Sequence, residues 1–293
     1  SLPHRPIAPG AAPVPITWSL SDLVQDKANV TVSVCIPARN EAATLDQVVG
    51  PVATHLVPAG LVDEIVVLDH DSTDDTAQVA WGAGATVVPA AEVLPEMGPV
   101  LGKGDVLWRS LAATSGDIVV WLDADLESFD TDYVVGLLGP LLRREEVALV
   151  RADYGRPFGA AAGEGGRVTE ILARPVLAAL FPQVAHVRQP LGGEYAIRRA
   201  VAEAVPFEPD YGVEMGLLID VAEGWGAESI AQVDVGVREH RHRPLSQLGV
   251  QAGQVLRAAL SRSSLGPTRP QWCDLRPPMS SIRPGSGVDL HAI

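Results

Sequence analysis

From residue 30 to residue 156, short apolar runs rich in Val and Ile alternate with stretches whose apolar residues recur at helical spacing. The runs are "VTVSVCIPA" (30–38), "DEIVVLD" (63–69), "ATVVPA" (85–90), "DIVVWLDAD" (117–125) and "EVALVRADYGR" (146–156). Branched residues in runs this short suit strands packed on both faces. Between them lie helix candidates: "NEAATLDQVVGPVATHL" with Asn40 as N-cap, "STDDTAQVAWGAG" with capping residues in its first turn, "GKGDVLWRSLAAT" and "DTDYVVGLLGPLL". Such alternation buries its apolar faces as an α/β layered structure around a Rossmann-like, mostly parallel sheet. Ligands of these sheets lie beyond the carboxyl ends of the strands. "PARNE", "DHDSTDDT" and "DAD" all fall at that edge.

The sharpest of these clusters is Asp123-Ala124-Asp125. If the strand runs through it, period two points both carboxylates the same way. Like charges side by side repel unless a cation lies between them or one takes a proton. Read alone, the pair is more simply a strand end entering a polar loop, with Asp125 capping the next element. Composition narrows the partners. The formal net charge of −14 argues against a broad nucleic-acid or membrane-surface contact, so an anionic small substrate needs a local cationic pocket. Only Cys35 and Cys273 are present, which reads as a reduced, cytoplasmic chain without a disulfide framework or zinc cluster. No apolar run approaches the roughly 18 residues of a membrane span, and the Pro- and Ala-rich start does not read as a secretory signal.

The later sequence carries a Gly-rich loop "GEGGRVTE", an apolar helix "ILARPVLAALF", a turn segment "QPLGGEYAIRR", the helix "YGVEMGLLIDVAEGWG", a strand "IAQVDVGVREHRHRP" and the helix "LSQLGVQAGQVLRAALSR". Period two in "REHRHRP" places Arg238, His240 and His242 on one face, a set suited to a metal and a diphosphate; the plainer reading is a basic surface strand. The expected organisation is an extended arm (1–29), a first α/β part (30–150), an α/β extension (151–263) and a tail (264–293) that is flexible or clasps a dimer partner.

The order strand, "PARNE", strand, "DHDSTDDT", strand, helix, strand, "DAD" resembles the layout of GT-A nucleotide-sugar glycosyltransferases. There the D-x-D holds Mg²⁺ or Mn²⁺, hard ions that take carboxylate and diphosphate oxygens together. Together with "GGRVTEILARPVLAALFP", "QPLGGEYAIRR", "YGVEMGLLID" and "IAQVDVGVREHRHRPL", the motifs from about residue 30 to 262 resemble more closely the actinobacterial glucosyl-3-phosphoglycerate synthases. Those are retaining GT-A hexosyltransferases that move glucose from UDP-glucose to the 2-hydroxyl of 3-phosphoglycerate. The resemblance implies a cytoplasmic, homodimeric, divalent-metal-dependent enzyme with a nucleotide diphosphate sugar as donor and a small acidic acceptor.

Carried over residue by residue, it makes Pro37, Ala38, Asn40 and Glu41 the uridine loop, and Asp69 and His70 a further nucleotide contact. Lys103 and Arg238 face the diphosphate. Asp125 binds the metal, with Asp123 supporting it and the ribose and His240 completing the set. Gly166, Arg167 and Thr169 match the acceptor loop, and Glu214 the acid near sugar and acceptor, so Asp125, Glu214 and Lys103 carry the catalysis. Simpler roles stand beside these: Asn40 as a helix cap, Lys103 as a turn lysine, Arg167 as loop chemistry, and Glu214 as the acid favoured in a helix's first turn.

Three departures bear on substrate. The family usually has Ser-Gly where this chain has His70-Asp71. It often has serine between the two aspartates, where Ala124 stands. It usually has an asparagine that helps hold phosphoglycerate at the place of His242. A paralogue with another donor or acceptor is therefore the nearest competing reading. A nucleotidyltransferase is more remote, because "PARNEAAT" is not a Gly-rich phosphate loop. A non-catalytic nucleotide-sugar sensor runs against the intact D-x-D, Lys103 and His240.

Overall fold

The computed structural model describes residues 12–155, 157–158, 161–162, 166–237, 245–264 and 275–282. In chain order the strands among them are β1 (Val14–Pro15), β2 (Val32–Ala38), β3 (Glu64–Asp69), β4 (Thr86–Pro89), β5 (Ile118–Trp121), β6 (Leu149–Gly155), β7 (Pro157–Phe158), β8 (Ala161–Ala162), β9 (Tyr195–Arg198) and β10 (Ile230–Val237). All but the β7–β8 pair form one sheet, ordered β1-β10-β6-β9-β5-β2-β3-β4. Neighbours run parallel, except that β9 is antiparallel to both β5 and β6. The mostly parallel α/β sheet read from the alternation is therefore present.

Both faces of the sheet are covered, and the strand period sorts its side chains between two cores. Val34, Ile36 and Val120 face one layer, while Cys35, Val119 and Trp121 face the other. Continuous apolar runs are what such two-sided burial requires. The helices α1 (Leu20–Lys27), α2 (Leu45–Pro51), α3 (Thr76–Gly82) and α5 (Asp132–Arg143) contribute to the first layer. The second is built by α4 (Lys103–Ala113), α6 (Arg174–Leu180), α7 (Arg199–Ala204), α8 (Val213–Trp225) and α9 (Leu245–Arg262). Among the described residues, no helix is long and apolar enough to cross a membrane.

Three local expectations need correction. The described part of the N-terminal segment is not simply an extended arm. Its β1 pairs with β10, with Val14 opposite Val233, and α1 starts at a capping box in which Ser19 and Asp22 satisfy each other's backbone amides. Second, Asn40 caps no helix. It sits in the left-handed region at φ 57°, its side-chain oxygen accepts from the Thr73 amide at 2.8 Å, and α2 begins at Leu45. The short polar side chain tolerates that conformation and cross-links two loops instead. Third, β5 ends at Trp121, so the aspartate pair lies in the turn beyond it. Strand alternation does not orient those two carboxylates. Of the tail, residues 275–282 pack within the chain, where Arg276 pairs with Phe207.

Candidate active site

The turn after β5 is pinned from two sides. The Leu122 amide donates to the Cys35 carbonyl at 3.2 Å, which prolongs the sheet by one bond. Thr44 Oγ1 donates to the Ala124 carbonyl at 2.8 Å, tying the turn to the start of α2. Between these anchors Asp123 and Asp125 emerge half-buried at the carboxyl edge of the sheet. Gly193 backs Asp123 so closely that a methyl group there would overlap its carboxylate.

Lys103 opens α4 from the neighbouring strand connection, and the two glycines around it are steric requirements. Gly102 lies at φ 155° against the Asp210 side chain, and a methyl on Gly104 would overlap the Glu208 carbonyl. Held between them, Lys103 Nζ donates to Asp123 Oδ1 at 2.8 Å and lies 2.9 Å from Glu214 Oε1. Burial works against the Lys103 ammonium. The charges and hydrogen bonds of Asp123 and Glu214 outweigh it and hold the pKa well above the ordinary lysine value. Glu214 stands buried in the first turn of α8, where a helix start favours an acid, and it lines the same cavity as Lys103.

These groups share one cavity of about 610 Å³. Of the residues singled out in the sequence, Pro37, Ala38, Glu41, His70, Lys103, Asp123, Asp125, Gly166, Arg167, Thr169 and Glu214 line it. Gly166 turns the chain at φ 80°, and Thr169 begins a turn of π-helix, Thr169–Ala173, that runs into α6. Such turns recur where a helix presents side chains to a site. Asn40 and Asp69 are not in the lining. Asp69 accepts from the Ser72 amide through Oδ2 at 3.3 Å, while its Oδ1 is buried without a hydrogen-bond partner. Arg238, His240 and His242 lie outside the described residues.

Sequence reasoning missed Arg39, Leu191, Asp210, Tyr211 and Gln251 in the lining. Arg39 stood inside a quoted motif and Asp210 next to one. Gln251 comes from α9, with no local signal to mark it.

The charge balance of the lining is informative. Five carboxylates, Glu41, Asp123, Asp125, Asp210 and Glu214, face three cations, Arg39, Lys103 and Arg167. A cavity so acidic admits an anionic ligand only with added positive charge. Paired hard-oxygen donors suit a divalent ion such as Mg²⁺ or Mn²⁺. Lys103 engages Asp123, and Asp125 lines the same cavity as a second carboxylate. Among the described residues no group of three or more His, Cys, Asp or Glu side chains is arranged to hold a metal. Among the described residues, the donors at this turn are the two carboxylates of Asp123 and Asp125.

Residues 33–161 match the model of glycosyl transferase family 2. The chain is 46% identical to the glucosyl-3-phosphoglycerate synthase of Mycobacterium tuberculosis, over 94% of this chain and 95% of that protein. It is 47% identical to the protein of the same name from Mycolicibacterium smegmatis, over 92% and 95%. The crystal structure of the M. tuberculosis enzyme with Mn²⁺, uridine-diphosphate-glucose and phosphoglyceric acid superposes with a TM-score of 0.82 at 44% identity, covering 96% of this chain and 97% of that one.

Proposed function

The chain belongs to the glucosyl-3-phosphoglycerate synthase family, and from that premise we propose that it transfers glucose from UDP-glucose to 3-phosphoglycerate with retention of configuration. The observation that carries the reading is the Lys103 bridge between Asp123 and Glu214. It joins the turn after β5, the start of α4 and the start of α8 around one cavity.

In this reading Pro37, Ala38, Glu41 and His70 flank the nucleotide, with Asn40 and Asp69 holding the loops behind it. Asp123 keeps Lys103 in place and Asp125 holds a divalent ion. When bound, that ion offsets the charge that develops on the departing diphosphate. Lys103 adds a fixed positive charge on the same side. Arg167, preceded by the turn at Gly166, offers a forked guanidinium to the acceptor's carboxylate or phosphate, beside Thr169. Arg238, His240 and His242 keep the roles that the resemblance gives them. Glu214 orients hydroxyls of sugar or acceptor. The acceptor attacks from the face that the diphosphate leaves, and the leaving phosphate takes its proton, so no glucosyl–enzyme ester forms.

Transfer is measured with UDP-glucose and 3-phosphoglycerate, with Mn²⁺ or with chelator. An α-linked product by NMR, formed only with the metal, is expected. Asp125→Asn should lose more activity than Asp123→Asn. A β-linked product, a glucose adduct on Glu214 in quenched enzyme, or equal rates with chelator would overturn the mechanism. A second reading, the same chemistry on a different acceptor, is favoured by Asp210, an extra carboxylate in a cavity that has to admit an anion. It gains if 3-phosphoglycerate gives no product while another hydroxylated acceptor does. The proposed assembly is a cytoplasmic homodimer; exposed Ile171 and Val250 supply apolar surface for a second copy, and light-scattering mass is the check.

A further inference from the structure

Two residues after Lys103 stands a carboxylate that the transfer chemistry does not use. Asp105 is fully buried, where an unpaired charge would be costly. It accepts from Arg276 Nε at 2.8 Å and Nη2 at 2.7 Å, from Arg109 Nε at 3.3 Å and from the Leu101 amide at 2.9 Å. The other hydrogen bonds of the two guanidinium groups go to one loop. Arg276 donates to the carbonyls of Met97 and Pro99 at 2.8 and 3.2 Å. Arg109 donates to those of Val93, Leu94 and Gly98.

That loop needs such partners. It contains only a single 3₁₀ turn, Pro95–Met97, and passes through positive φ at Leu94 and Gly98, so no regular ladder satisfies its carbonyls. It ends in Val100, Leu101 and Gly102, which line the cavity directly before Lys103. The same junction holds the opposite wall. Arg276 exchanges backbone hydrogen bonds with Phe207, and the Asp105 amide donates to the Pro209 carbonyl at 2.9 Å. Asp210, Tyr211 and then Glu214 come next in the chain. Trp108 Nε1 fixes the segment at 275–282 by donating to the Pro277 carbonyl at 2.9 Å, with its ring 5.4 Å from the Arg276 guanidinium.

We propose that Arg276 is a positioning residue for the transfer, joining through Asp105 the two walls that hold Lys103 and Glu214 at their working separation. The role rests on the transferase reading above. Arg276 touches no reacting atom; it acts through the loop at 97–101 and the first turn of α4.

The test uses the full chain with Arg276→Met and Arg276→Lys, read by steady-state kinetics with UDP-glucose, 3-phosphoglycerate and Mn²⁺, and by amide hydrogen exchange. Small displacements at a site cost large factors in rate, so Arg276→Met is expected to lower kcat by about tenfold or more. KM for UDP-glucose should change much less, and exchange should quicken at residues 97–101 while β2 and β5 keep their protection. Arg276→Lys keeps the charge but loses the fork, so it should fall between. If the methionine variant does not fold, the lysine variant carries the same readouts. Kinetics within about twofold of the parent in a folded variant would overturn the proposal. So would exchange that quickens equally across the whole sheet, since Arg276 would then serve global stability alone. If the parent makes no product from these substrates, the transferase reading has failed, and local against uniform exchange still decides what Arg276 holds.

Discussion

The charge of His70, in the cavity lining, is set by competing forces. Burial and the nearby Arg39 lower its pKa, while Asp71, Asp105 and Asp69 pull the other way and lose. The folded protein then binds fewer protons than the unfolded chain just below the ordinary histidine value of about 6.5. Stability from this group is complete above that value and declines as pH falls through the lowered one. His70→Gln should therefore shrink the loss of urea stability between about pH 7.5 and pH 5.5. An unchanged loss would show that His70 does not contribute. The candidate site was legible where a residue type has one plain chemistry: the aspartate pair, Lys103 between glycines and Glu214 all reach one cavity. Asp210 and Gln251 were not legible, because nothing local marks a residue whose role depends on which distant element it meets.

At the level of the element, α4 shows why the motif around Lys103 reads as it does. A glycine in a helix interior costs about 1 kcal/mol relative to alanine. Here the Glu208 carbonyl occupies the space a methyl group would need. Forcing a methyl into close packing costs about 1–3 kcal/mol, and backbone yields less readily than a side chain. Gly104→Ala is thus expected to lower the urea midpoint despite its better helix propensity, and to reduce transfer by moving Lys103. A raised midpoint would refute this. The strands and helices were legible because two-sided burial writes a continuous apolar run and each helix a 3.6 period. Their ends were less so. The run into Asp123 looks like strand, yet pairing stops at Trp121. Asn40 has the composition of a cap but serves as a cross-link between loops.

Across the whole molecule, the polar lining of the cavity gathers at one edge of the sheet, and the middle of the sheet is apolar. Cys35, mid-strand in β2, is fully buried, and burial pushes its thiol up to about 12. In the native protein near pH 8 it should resist iodoacetamide and react only in denaturant; native labelling of its peptide would contradict the buried placement. The strand order has a further consequence. β9, the late antiparallel strand, lies between β5 and β6, both of which precede it in the chain. As a ribosome delivers this polypeptide, β5 and β6 emerge well before the strand that will separate them. Each then carries an unsatisfied apolar edge, open to pairing with the other or with a neighbouring nascent chain. The growing chain therefore cannot join β5 to β6 until residue 198 has left the exit tunnel, nor complete the sheet until β10 follows at residue 237, and a chaperone that shields those two edges would raise its yield most before β9 emerges.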